Sequence, residues 1–119
     1  MASRAMMGKT QRVVYSAAKA ALVGMTRSTC LEVAADGIIM NVIEPGPVGS
    51  QLFDNGHLIG SAKRQKVIDG FPVKRVGAPN DIARMVAFLL AAENGYITGQ
   101  TIFVCGGASI SGAAPAVTE

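Results

Sequence analysis

Charge is scarce in this 119-residue chain. Asp, Glu, Lys and Arg make up 16% of it and aromatic residues 5%, and His57 is the single histidine beside two cysteines, Cys30 and Cys105. The net charge is only +3 and the basic residues form no long run, so composition gives little support to nucleic-acid binding. One histidine and two distant cysteines offer no metal-ligand spacing, and no metal site is expected. Both cysteines sit in apolar periodic segments and read as buried free thiols of a reducing compartment, which places the chain in the cytoplasm. His57, beside Asn55 and Gly56, reads as a solvent-facing turn residue. No apolar run reaches about 18 residues unbroken, so no membrane span is expected. Residues 1–12 lack the continuous apolar core of a signal peptide. The 14 glycines and five prolines are dispersed rather than gathered in tracts, which leaves no low-complexity segment.

Apolar residues, by contrast, make up half of the chain, and they fall in a definite order. Val13 to about Ala35 predicts a long helix without proline. It carries a small-residue face, Ala17, Ala20, Ala21, Gly24 and Ser28, and is apolar nearly all round, so burial on more than one side is expected. Asp36-Gly37 supplies a left-handed stop. Ile38 to Ile43 reads as a strand buried on both faces, ended by Glu44-Pro45-Gly46-Pro47. Gln51 to Gly77 is irregular, with a turn at Asp54-Asn55-Gly56 and a short helix from Ser61 to Ile68. A segment of that length is usually a lid or binding loop. A second helix runs from Pro79 to about Ala92, a second buried strand from Gln100 to Cys105, and the tail after Ser109 reads as loose. The chain is one partial domain of α/β class. Its two parallel strands with flanking helices are too few for a complete doubly wound sheet, and their apolar character calls for further layers.

The chemistry centres on Tyr15-Ser16-Ala17-Ala18-Lys19. Residues four apart share a helix face, so the Lys19 ammonium can stand near the Tyr15 phenol. A nearby cation favours a phenolate, which makes a tyrosine a usable proton donor or acceptor. Spacing alone also fits a surface pair on an amphipathic helix, which is the commoner case. Ligands in open α/β sheets bind beyond the carboxyl ends of the strands, which directs attention to Pro45–Ser50. Lys63, Arg64, Lys66, Lys74 and Arg75 form a local basic cluster that fits either a solvated face or the attraction of an anionic or carrier-linked substrate.

Taken with its neighbours, the motif resembles the carboxyl-terminal half of a short-chain dehydrogenase/reductase. Tyr15-x-x-x-Lys19 is followed by Gly37-Ile38-x-x-Asn41-Val42 and Pro45-Gly46-Pro47-Val48. Then come Gly77-x-Pro79-x-Asp81-Ile82-Ala83, Ile97-Thr98-Gly99-Gln100 and Val104-x-Gly106-Gly107. The order matches the family, and the nearest subgroup is similar to 3-oxoacyl-acyl-carrier-protein reductases or sugar-alcohol dehydrogenases. The resemblance implies a partial Rossmann-like fold and ketone/alcohol interconversion with NAD or NADP. It implies Tyr15 as general acid or base, Lys19 as holder of the ribose hydroxyls, and Ser3 as the substrate-orienting serine. It also implies cofactor contacts from Pro45, Gly46, Val48 and Ser50, and a substrate lid over 51–76.

The same comparison exposes what is lacking. The sequence holds no glycine-rich turn between a first strand and a helix, where a dinucleotide pyrophosphate binds. Gly106-Gly107-Ala108 follows a strand but precedes no helix. The residue that reads the adenosine ribose and the family's catalytic asparagine have no counterpart. The chain is therefore expected to be inactive alone and to bind NAD or NADP poorly. Uncovered apolar surfaces favour a homo-oligomer, a dimer or larger. The other readings are a non-catalytic assembly module and a fragment without function of its own.

Overall fold

The computed structural model describes residues 1–111. After a 3-10 turn at Arg4–Met7 come α1 (Val13–Val33), β1 (Val42–Pro45), α2 (Gln51–Gly56), α3 (Ala62–Asp69), α4 (Pro79–Leu90) and β2 (Thr101–Val104). The two strands pair in parallel, Val42 opposite Thr101 through Pro45 opposite Val104. Alternation along β1 sends successive side chains to opposite faces. Val42 packs with Val23 of α1 and with Ala2. Ile43 packs with Ile82 and Leu89 of α4. The sheet thus lies between α1 and α4, the layering of a doubly wound fold reduced to two strands.

The long helix is as expected, and Gly37 stops it in the left-handed conformation, φ 77°. Its expected burial is not. Val23, Thr26 and Cys30 are buried, but the whole small face, Ala17, Ala20, Ala21, Gly24 and Ser28, is exposed. Only one side of the helix meets the sheet, because the described chain holds no second layer to cover the other.

The first strand is shifted from Ile38–Ile43 to Val42–Pro45. A strand exists only where a neighbour can pair with it, and β2 reaches back no further than Thr101. Before that point the Asn41 side chain substitutes for the ladder: its amide donates to the Ile97 carbonyl (2.7 Å), and its oxygen accepts from the Gln100 N–H (3.0 Å). Glu44 and Pro45, read as a stop, are strand residues. On the other edge of β1 the Ala2 N–H donates to the Ile43 carbonyl at 3.0 Å.

The segment over 51–76 is more regular than expected. Ser50 caps α2 by accepting from the Phe53 N–H (3.3 Å), which turns the Asp54-Asn55-Gly56 turn into a helix end. Ser61 caps α3 as expected (3.1 Å to the Arg64 N–H). His57 is a half-buried cap residue stacked on Phe53, with ring centroids 4.4 Å apart. At α4, Pro79 occupies the first turn, and Asp81 accepts from the Ala78 N–H (2.8 Å) and from both Arg75 nitrogens. Those Arg75 bonds, then the Ala78 bond, hold the Asp81 carboxyl below its ordinary range. Cys30 is buried as expected, its Sγ 3.1 Å from Thr98 Oγ1. Cys105 is not: it is half-buried, because β2 ends at Val104 and the glycine turn opens beside it. Burial pushes its thiol up, but the Ser109 hydroxyl and the amides of Ser109, Gly107 and Ala108 outweigh that, and its pKa is lowered. The tail expected to be loose lies, beyond Ser111, outside the described residues.

Among the described residues the radius of gyration is 16.0 Å, against about 13.5 Å for a compact domain of this length. No helix there is long and apolar enough to cross a membrane.

Candidate active site

The carboxyl end of β1 gathers three of the expected residues. Ala2 is tied to Ile43, which sets Ser3 beside the end of the strand. Ser3 caps the 3-10 turn through its Oγ, which accepts from the Ala5 N–H at 3.3 Å, so the hydroxyl proton remains available to donate. Across from it runs the first part of α1. The Lys19 ammonium stands 5.7 Å from the centre of the Tyr15 ring and donates to the Met1 carbonyl at 3.5 Å. Lys19 therefore spans the gap between Tyr15 and the segment that carries Ser3. Tyr15 is 44% exposed.

The second group of expected residues leaves from the same strand end. Pro45 closes β1. The Gly46 N–H donates to the Val104 carbonyl (3.0 Å), and a Cβ on Gly46 would lie 2.6 Å from the Cys105 Cα. Only glycine fits there, because the loop passes directly against β2. Gly46→Ala is expected to lower unfolding stability by about 1–3 kcal/mol, as overpacking against backbone does, and urea denaturation checks it. Val48 forms a parallel bridge with Gly77, which holds the loop toward α4. The Ser50 hydroxyl is occupied in capping α2. The structure thus sets Lys19 beside Tyr15 and against Met1, two residues before Ser3, while Pro45 and Gly46 continue β1. Val48 and Ser50 sit further along a loop that turns to the other face.

The residue that the sequence reading left out of the site is Glu44. Its side chain is completely buried, with neither carboxylate oxygen hydrogen-bonded. The signal was its two-residue spacing from Val42, which assigns it to the α1 face. Burial pushes its pKa above the ordinary value. The Ser3 N–H (close by but closing no hydrogen bond), the Met1 amino group and Lys19 pull it down by less.

Elsewhere the fit to a dinucleotide fails. Gly106 and Gly107 have positive φ (60° and 80°), but Val73 packs within 2.4 Å of the position of a Cβ on Gly106, and Pro72 within 2.8 Å of that on Gly107. Those glycines serve close packing rather than a phosphate. The first turn of α4 carries the Asp81 carboxylate, which repels one. The cleft at the strand ends, about 230 Å³, is lined by Pro47, Arg75, Asp81 and Cys105 and by none of Ser3, Tyr15 and Lys19. Ligand sites for molecules of this class run to about 300 Å³ and more. The described residues offer no cradle for the pyrophosphate. The basic cluster is also largely engaged within the chain. Arg64 pairs with Asp54, Arg75 with Asp81, and Lys74 donates to the Asp69 carbonyl.

The layered parallel α/β fold, with Lys19 beside Tyr15 on α1, fits the resemblance to the short-chain dehydrogenases/reductases. Residues 1–109 match the family model described as enoyl-(acyl carrier protein) reductase, and the chain belongs to that family, of which it corresponds to a carboxyl-terminal portion. It is 46% identical over 94 residues to the (2S)-[(R)-hydroxy(phenyl)methyl]succinyl-CoA dehydrogenase subunit BbsC of Thauera aromatica, covering 79% of this chain and 35% of that protein. It is 40% identical over 100 residues to the 3-oxoacyl-[acyl-carrier-protein] reductase FabG of Rickettsia felis, covering 84% of this chain and 40% of the relative. In structure it is similar to an actinorhodin polyketide ketoreductase solved with NADPH (TM-score 0.83, 28% identity, 92% of this chain and 45% of that one). It is also similar to a glucose/ribitol dehydrogenase from Brucella melitensis (TM-score 0.80, 32% identity, 90% and 42%). The chain spans less than half the length of these relatives.

Proposed function

We propose that these residues carry the proton-transfer part of an NAD(P)-dependent carbonyl reductase, and that the 119 residues alone do not complete the reaction. The observation that carries this reading is the position of Lys19, over the Tyr15 ring and against the segment bearing Ser3. Ser3 donates a hydrogen bond from its hydroxyl to the substrate carbonyl and orients it. Tyr15 gives its proton to the same oxygen as negative charge develops there, and takes it back in alcohol oxidation. Lys19 stabilises the phenolate left behind. A bound nicotinamide supplies or accepts the hydride. Residues 51–76 form the substrate lid. The names of the two curated relatives favour a thioester-linked carbonyl substrate, carried on coenzyme A or an acyl carrier protein.

The decisive experiment is a chimera. The amino-terminal portion of the Rickettsia felis reductase is joined to this chain at Ser3, and NADPH oxidation is followed with an acetoacetyl thioester. Restored turnover supports the reading. A folded chimera that binds NADPH and does not turn over contradicts it.

A second reading, self-assembly, is favoured by one specific observation. Val14, Ala18, Ala21, Met25 and Ser28 repeat at spacings of four and three along one exposed face of α1. Ala18, Ala21 and Ser28 let another helix approach closely, and Val14 and Met25 give it exposed apolar surface to cover. The chain is expected to elute as a dimer or larger in size-exclusion chromatography with light scattering. Ala21→Arg is expected to shift it toward monomer. A monodisperse monomer of the unaltered chain would count against assembly.

A further inference from the structure

Glu44 is the one completely buried charged side chain of the described residues, and it lies directly behind the residues assigned to proton transfer. Strand alternation fixes its face. Val42, two residues earlier, packs on Val23 of α1, so Glu44 also meets α1, closer to the helix start. Lys19 and Ser16 precede Val23 by four and seven residues and share that face. Ser16 Oγ is buried and unpartnered too. Glu44 on β1 and Ser16 on α1 are both buried polar side chains without partners, where apolar residues would have been the simpler packing.

We propose that Glu44 is a positioning residue for Lys19: its sealed carboxyl group governs whether the ammonium is drawn back toward β1 or left over the Tyr15 ring. This rests on the reading of Tyr15 and Lys19 as the proton-transfer pair. With Glu44 neutral, no opposing charge lies behind Lys19, which remains beside the phenol. With Glu44 ionised, an anion in a poorly solvated site attracts both cations near it, the Met1 amino group more strongly and then Lys19, whose ammonium is the one that can also stand over the Tyr15 ring. The groups that face it are Lys19 from α1 and, from the segment before the 3-10 turn, the Met1 amino group and the Ser3 amide. The paired strand β2, Thr-Ile-Phe-Val, brings no charge. Burial raises the Glu44 pKa, so the neutral form persists to higher pH than for an ordinary glutamate, and the change occurs as pH rises through that raised value.

The test is NMR titration of the chain labelled with 13C at the glutamate carboxyl and lysine Cε carbons. The Glu44 signal, assigned by its loss in Glu44→Gln, is expected to titrate above the ordinary value of about 4.3. The Lys19 Cε signal is expected to step at the same midpoint, with the step abolished in Glu44→Gln and kept in Glu44→Asp. In Lys19→Met the Glu44 midpoint is expected to rise, since an attracting charge is gone. A Glu44 midpoint at the ordinary value, a flat Lys19 signal, or an unmoved midpoint in Lys19→Met would overturn the proposal. No substrate or cofactor is involved, so an inactive chimera would contradict the reductase reading and leave this coupling standing.

Discussion

Purified 119-residue chain, mixed with NADPH or NADH and a 3-oxoacyl thioester, is expected to consume nicotinamide no faster than buffer. The reason lies in positioning. Holding two reactants in register is worth effective molarities of about 10⁵–10⁸ M. That advantage exists only where the donor carbon and the acceptor carbonyl are both fixed. In the proposed roles Ser3, Tyr15 and Lys19 fix the carbonyl. The described residues offer nothing comparable for the pyrophosphate, since Gly106 and Gly107 are packed against Val73 and Pro72. Proton transfer without a placed hydride donor accelerates nothing. Spectrophotometry at 340 nm checks this. Steady, saturable turnover lost in Tyr15→Phe would refute it.

In the chimera that supplies the missing portion, Tyr15→Phe is expected to lower kcat about 10²–10⁴-fold, the usual worth of a positioned general acid, with KM little changed. The ring stays in place and only the transferable proton is removed. Loss confined to the chemical step is the signature of an interaction made in the transition state. On the proposed role of the ammonium over the Tyr15 ring, Lys19→Met should also lower kcat. Stopped-flow measurement of single-turnover NADPH oxidation separates these effects from product release. A Tyr15→Phe chimera with unchanged kcat would remove Tyr15 from the chemistry.

Much of this arrangement is legible in the residues, and the misses share a cause. Helix α1 follows from Ala, Leu and Met without proline, and α4 from the apolar spacing of Ile82, Met85, Val86 and Leu89. Ser61 shows itself as a cap. The proximity of Tyr15 and Lys19 follows from helix geometry alone. What local sequence could not supply is the neighbour. The limits of β1 depend on where β2 begins, and the Asn41 side chain takes over pairing that a longer ladder would have made. The burial of Glu44 depends on α1 lying across it, and the exposure of Ala17 to Ser28 depends on no further layer covering them. The α2 helix was hidden because Asp54-Asn55-Gly56 is as good a helix end as a turn, and Ser50 decides between them.

The most direct test of the central claim, that the chain holds the proton-transfer residues without a dinucleotide cradle, is isothermal titration calorimetry of NADPH and NADH into the purified chain. The expected result is no saturable binding below about millimolar concentration, where the interaction free energy is only about 4 kcal/mol. Stoichiometric binding at micromolar cofactor would contradict it.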